Sequence, residues 1–156
     1  MNIVLHLNGE PTEVSLAGDE LLQSVLADLG VTGSRLACGI GVCGACTVEV
    51  DGHTVAACVF PAALADGAQV STIEGVADTD PVVRSFNEHR AFQCGFCTPG
   101  AVLAARELLR EKPSPSLDTI REHMAGNLCR CGCYRKIQQA VLAAGRQSSA
   151  TAETDH

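Results

Sequence analysis

Apolar and polar residues alternate at the start of the chain, then change period about halfway along it. Ile3, Leu5 and Leu7 share one side of an alternating run. Asn8-Gly9 offers a two-residue hairpin turn, and Val14 and Leu16 resume the alternation. A helical stripe follows, with Leu21, Leu22, Val25, Leu26 and Leu29 on one face, Asp19 placed to cap it and Gly30 to end it. Thr47 to Val50 and His53 to Ala57 pattern as a second hairpin around Asp51-Gly52, and Val70 to Ile73 as one more strand. The economical assembly is a small mixed sheet with a single helix packed across it.

After Asp78 the spacing becomes helical. Pro81 to about His89, Pro99 to Glu111, Leu117 to Met124 and Tyr134 to about Ala144 each show it. Thr98-Pro99 puts a capping hydroxyl before a proline at the first helical position. Lys112 to Ser116 (KPSPS) is a loop between two helix pairs. The period changes between Gly75 and Asp80, which divides the chain into a strand-rich unit over 1–76 and a helical unit over 77–146. Residues 147–156 are small and polar and are expected to form a disordered tail.

Composition narrows the chemistry. Aromatic residues make up 3% of the 156 and Trp is absent, so the cores rest on Ala, Val, Leu and Ile. Units this small gain from cross-links or metal sites. The formal net charge is −7 and no segment clusters Lys and Arg, which excludes nucleic acid as a partner. MNIVLHLNGE lacks a basic segment followed by an apolar run, and no run of 18 apolar residues occurs, so neither a secretory leader nor a membrane span is expected. A cytoplasmic address follows by default. In a reducing compartment, nine cysteines are better explained by metal than by disulfides, and the odd number fits a paired set badly.

Cys38, Cys43 and Cys46 lie in LACGIGVCGACTVEV, with Cys58 beyond the hairpin. The spacing is C-x4-C-x2-C-x11-C, and its first three members match the plant-type [2Fe–2S] arrangement. A two-iron cluster needs two thiolates per iron. One short loop can wrap three around one side, while the fourth comes from another element. Gly39, Gly41 and Gly44 permit the positive φ angles and close backbone approach that such a loop needs, and they let amides point at the sulfurs. A zinc site is the alternative. Structural zinc loops pair ligands as C-x2-C on two knuckles, and three ligands on one such loop crowd that geometry. Buried structural thiols are the other.

A second set follows. Cys94 and Cys97 lie in QCGFCTPG, and Cys129, Cys131 and Cys133 in GNLCRCGCY. A C-x2-C with a distant C-x-C offers four thiolates at helix ends. Cys97 precedes the helix from Pro99, and Cys131 to Cys133 precede the helix from Tyr134. Helix N-termini favour anionic ligands and lower thiol pKa values.

CGIGVCGAC, QCGFCTPG and GNLCRC, in that order, resemble the iron–sulfur subunit of the molybdenum hydroxylases, a family that includes xanthine dehydrogenase, aldehyde oxidoreductase and the aerobic carbon monoxide dehydrogenases. The likeness spans about residues 2 to 145. It implies an α+β chain, an N-terminal plant-ferredoxin-like β-grasp domain followed by a C-terminal four-helix bundle. It implies that Cys38, Cys43, Cys46 and Cys58 hold one [2Fe–2S] cluster and that Cys94, Cys97, Cys129 and Cys131 hold a second, nearer molybdenum. Gln93 and Cys131 would then contact the pterin of a molybdopterin cofactor in a large partner subunit. The expected electron acceptor is a medium subunit carrying FAD, or a haem protein in some two-subunit members. The commoner family text is CRCTGY, whereas this chain reads Cys131-Gly132-Cys133-Tyr134. Cys133 is thus an extra thiol: a spare core residue, which is the favoured reading, an alternative ligand, or a cofactor contact.

The remaining candidates are weak. His6, His53, His89, His123 and His156 show no ligand spacing and read as surface or strand-end residues. Arg130, between two ligands, either tunes cluster charge, contacts a partner or is solvated. Glu88 and Glu107 read as exposed helix faces. No nucleophile–base pair, acid/base carboxylate couple or phosphate-binding loop is present, so no substrate chemistry is expected of the chain itself. A free-standing two-cluster ferredoxin and a zinc-stabilised module are the alternatives to an electron-transfer subunit.

Overall fold

The computed structural model describes residues 1–152, and the side chains of residues 1–147. The first half is a mixed five-stranded sheet in the order β2-β1-β5-β3-β4. Strands β1 (Asn2–Leu7) and β2 (Glu10–Ser15) form an antiparallel hairpin, and β3 (Thr47–Val50) and β4 (His53–Ala56) form another. Both turns place their two central residues at positive φ, Asn8 and Gly9 at 52° and 91°, Asp51 and Gly52 at 50° and 83°. That is the twist a tight hairpin demands. Strand β5 (Gln69–Ser71) joins them, parallel to β1 and antiparallel to β3. It is shorter than the expected Val70–Ile73 strand because the chain turns at Ile73–Gly75, where Glu74 accepts the Thr32 and Gly33 amides.

Helix α1 (Leu22–Asp28) covers one face of the sheet, burying Leu22, Val25 and Leu26 against Ile3, Leu5 and Val48. Leu21 and Leu29, expected in the same stripe, stay more than a third exposed. Asp19 does not cap the helix. The chain is still extended at Leu21, where it bridges to Pro61, and the preceding turn is held by Glu20 accepting the Ala17 and Gly18 amides.

The second half has its own core, with Phe86, Leu108, Ile120 and Val141 at its centre. It is built from α2 (Pro81–Glu88), α3 (Thr98–Glu111), α4 (Leu117–His123) and α5 (Tyr134–Ala152). Asp80 caps α2 by accepting the Val82 and Val83 amides, and Ser116 caps α4 through the Thr119 amide. Thr98 does not cap α3. It is already helical behind Cys97, and its buried hydroxyl finds no partner among the described residues. Residues 147–152, expected in a disordered tail, continue α5. Once Ile137, Ala140, Val141 and Ala144 anchor that helix, each further residue adds a hydrogen bond without a new nucleus. Residues 153–156 lie outside the described residues. No helix is long and apolar enough to cross a membrane, among the described residues.

Strand β3 is buried on both faces, because α3 lies against the side that α1 leaves open. Thr47 and Glu49 point that way. The Glu49 carboxylate, almost fully buried, takes Arg110 at 3.0 Å and Arg106 at 3.5 Å, and Arg106 also pairs with Asp80 at 2.9 Å. Glu107, expected on an exposed face, is buried at this junction. Its carboxylate accepts the Thr54 amide at 2.9 Å and the Thr54 hydroxyl, and lies 3.6 Å from both His53 and His123. Helical spacing places Glu107 on the α3 side away from its own core, which reads as solvent until the sheet is packed there.

Candidate metal centres

The first cysteine set sits in a loop between α1 and β3, with one member, Cys58, in the short turn just after β4. Gly39, Gly41 and Gly44 hold φ values of 68°, 74° and 72°, so the loop doubles back in conformations other residues resist. Its amides turn inward. The Cys38 sulfur accepts the Ile40 and Val42 amides at 3.5 and 3.4 Å, Cys58 accepts Gly41 at 3.3 Å, and Cys46 accepts the Cys58 amide at 3.4 Å. The Ile40 amide, with those of Cys43 and Val42, brings the Cys38 thiol down to about 6. Burial pushes Cys46 up to about 11, with the Cys58 amide working against the rise and the Cys58 thiol adding to it. Cys43 faces Cys38, and Cys58 faces Cys46.

The second set gathers where α3 and α5 begin. Cys94 faces Cys131, and Cys97 faces Cys129. The Phe96 amide lowers the Cys94 thiol. Cys97 stands at the N-cap of α3, yet burial and the adjacent Cys129 push it up to about 12. The lowering expected there from the helix terminus is outweighed by desolvation. Burial raises Cys129 too, but the Cys133 amide, 3.4 Å from its sulfur, and other donors bring it down overall. Cys133 itself is half-buried and packs against the helical core, with its thiol raised by burial and by Cys129. Cys94 and Gln93 are exposed, so this set reaches the surface.

The two sets share a cleft of about 690 Å³, whose lining includes Cys43 from one set and Cys94, Cys97 and Cys129 from the other. Arg130 lines it too, with its side chain exposed. The Cys43 carbonyl accepts the Leu128 amide at 2.9 Å, one residue before Cys129. Asn127 donates to the Gly44 carbonyl at 3.3 Å. A side chain absent from the cysteine motifs also spans the gap. Arg35 donates to the Gly95 carbonyl at 2.6 Å, and its guanidinium lies 5.5 Å from the centre of the Phe96 ring. Sequence spacing carries no signal for it, since 60 residues separate the partners.

Sulfur donors, inward amides and glycine turns fit an anionic iron–sulfur group. The spread of the sulfurs fits it as well. A single zinc holds its thiolates about 3.8 Å apart by tetrahedral geometry. Among the described residues, the one group of three ligating side chains with all atoms within 4.8 Å is His53, Glu107 and Glu111, so no three cysteines converge that tightly. Ligands divided between two irons need not do so.

Similarity to known proteins agrees. Residues 5–71 match the family described as 2Fe-2S iron-sulfur cluster binding domain, and residues 72–142 that described as [2Fe-2S] binding domain. The small subunit of nicotine 6-hydroxylase from Paenarthrobacter nicotinovorans is 41% identical over 150 residues, covering 94% of this chain and 91% of that protein. Quinoline 2-oxidoreductase from Pseudomonas putida 86 superposes with a TM-score of 0.90 at 37% identity, covering 96% of both chains. Aldehyde oxidoreductase from Desulfovibrio gigas superposes at 0.91 with 36% identity, covering 97% of this chain and 17% of the larger one. With a [2Fe–2S] binding domain in each half, the chain belongs to the iron–sulfur subunits of the molybdenum hydroxylase family.

Proposed function

We propose that this chain relays single electrons from a molybdopterin site in a separate large subunit, by way of its helical half and then its sheet half, to FAD in a medium subunit or to a haem protein. The observation that carries the reading is the meeting of the two cysteine sets across one cleft, joined by the bond between the Cys43 carbonyl and the Leu128 amide. When bound, each cluster supplies a one-electron acceptor and donor, which splits the two-electron oxidation of a substrate into single steps.

In this reading Cys38, Cys43, Cys46 and Cys58 hold the cluster of the sheet half. Cys94, Cys97, Cys129 and Cys131 hold that of the helical half. Gln93 and Cys131 meet the pterin, which accords with the exposure of Gln93 and Cys94 at the surface a partner would cover. The functional units are 1–76, taken as a β-grasp domain, and 77–146, taken as a four-helix bundle of α2 to α5. The chain's own task is to fix two anionic groups at constant separation and to set their potentials through inward amides and burial. The address is cytoplasmic.

Low-temperature EPR of the dithionite-reduced protein tests this. Two distinct S = ½ signals are expected, about one spin per cluster. Cys46→Ala should remove one and Cys129→Ala the other. A single signal would end the two-cluster reading, and a purified complex without molybdenum would end the assignment of its partner.

A further inference from the structure

We propose that Arg35 is a positioning residue that ties the two cysteine loops together and holds a fixed positive charge between them, raising the reduction potential of the helical-half cluster. This rests on the two-cluster reading above. The geometry is reciprocal. The Arg35 amide donates to the Ala45 carbonyl at 3.1 Å, between Cys43 and Cys46 of the first loop. Its Nη1 donates to the Gly95 carbonyl at 2.6 Å, between Cys94 and Cys97 of the second. One residue thus grips the middle of both ligand loops.

The type of side chain matters. A guanidinium is charged at every working pH, and its flat face suits an aromatic ring. Here that ring is Phe96, at 5.5 Å, next in sequence to the carbonyl Arg35 holds. Arg35 is half-buried, so water screens its charge less than it screens that of Arg130, which lines the same cleft but is exposed. Reduction adds one negative charge to a cluster already anionic. A nearby fixed cation favours the reduced form and so raises the potential. The charged end lies at the second loop, so the effect is greater there than on the sheet-half cluster.

The test is a redox titration of the complete protein followed by EPR, with each cluster signal read separately. Arg35→Gln is expected to move the helical-half signal to a more negative midpoint, and by more than the sheet-half signal. Arg35→Lys, which keeps the charge, is expected to recover most of the shift, while Arg130→Gln moves either signal less. Unchanged midpoints in Arg35→Gln, equal shifts in the Gln and Lys variants, or an equal shift in Arg130→Gln would each overturn the proposal. If Arg35→Gln fails to assemble the second cluster, Phe96→Leu carries the same test: it unseats the charge without removing it. A negative shift there supports the role and none refutes it. A wild-type protein lacking the second signal would instead defeat the two-cluster reading on which the inference stands.

Discussion

Gly100→Ala should weaken this protein, although in most helices the same change strengthens it. Gly100 lies in the first turn of α3, where that helix meets the first cysteine loop. Its φ is not positive, so alanine suits the backbone and by helix propensity alone should gain about 0.5–1 kcal/mol. The packing opposes this. A Cβ at Gly100 would stand 2.2 Å from the Gly44 carbonyl oxygen, with the Thr47 Cβ at 3.3 Å. Contact at that oxygen is short by about 1 Å, and the obstacle is backbone, with no rotamer to yield. Gly44 itself is at φ 72° with its own Cβ position 2.4 Å from the Gly126 carbonyl, so the loop has little room to retreat. Overpacking costs about 1–3 kcal/mol, and an obstacle of backbone puts this case in the upper part of that range, about 2–3 kcal/mol, which leaves a net loss of about 1–2.5 kcal/mol. The loop that must move carries Cys43 and Cys46, so the visible spectrum of the sheet-half cluster should change as well. Urea unfolding, followed by far-UV circular dichroism and by cluster absorbance, measures both. Gly126→Ala is the control, since a Cβ there meets nothing within 4 Å. Equal or greater stability in Gly100→Ala, with an unaltered spectrum, would refute the claim that the two halves are packed at backbone contact here.

Three further outcomes are expected. Glu49→Ala removes the carboxylate that Arg106 and Arg110 share; because both guanidinium groups keep some access to water, the unfolding free energy from urea titration should fall by about 1–3 kcal/mol rather than by the full cost of a buried pair, and no change would show the network to be idle. Burial raises the Glu107 carboxyl, but the Thr54 hydroxyl and amide, with His123 and His53, outweigh it and hold it below its ordinary 4.5. A carboxyl depressed in the folded state contributes stability that is present above its ordinary value and lost as pH falls through the folded one. Wild type should therefore lose stability below pH 4.5 more steeply than Glu107→Gln, and parallel acid limbs would contradict this. Cys133→Ala should keep both EPR signals, because it is the Cys133 backbone amide that donates to the Cys129 sulfur and alanine retains it. Loss of the second signal would mark Cys133 as a ligand.

Much was legible in the sequence because the relevant physics is local. Alternation in Ile3 and Leu5 marks a strand with one buried face, and Asn8-Gly9 and Asp51-Gly52 mark turns whose twist few other pairs adopt. The loop from Cys38 to Cys46 carries three thiols and three glycines within nine positions, so the chemistry it offers is written in spacing. Caps were less legible. Asp19 and Thr98 have capping chemistry, but where a helix starts depends on what the preceding residue packs against, as the bridge from Leu21 to Pro61 shows. Propensity alone likewise missed the extension of α5 past Gln147.

Contacts between the halves belonged to the tertiary structure. Glu107 reads as a surface residue on its own helix, and only the docking of α3 on β3 and β4 buries it beside Thr54. Arg35 belongs in sequence to the first cysteine loop, while the carbonyl its side chain holds lies 60 residues on, with its aromatic partner next to that carbonyl in sequence. The sequence by itself determined the strands, the turns, the helical periods and the two sets of thiols, because each depends on residues a few positions apart. The tertiary structure alone decided how far apart those sets stand and which charges lie between them, because packing across two cores joins residues that no local pattern relates.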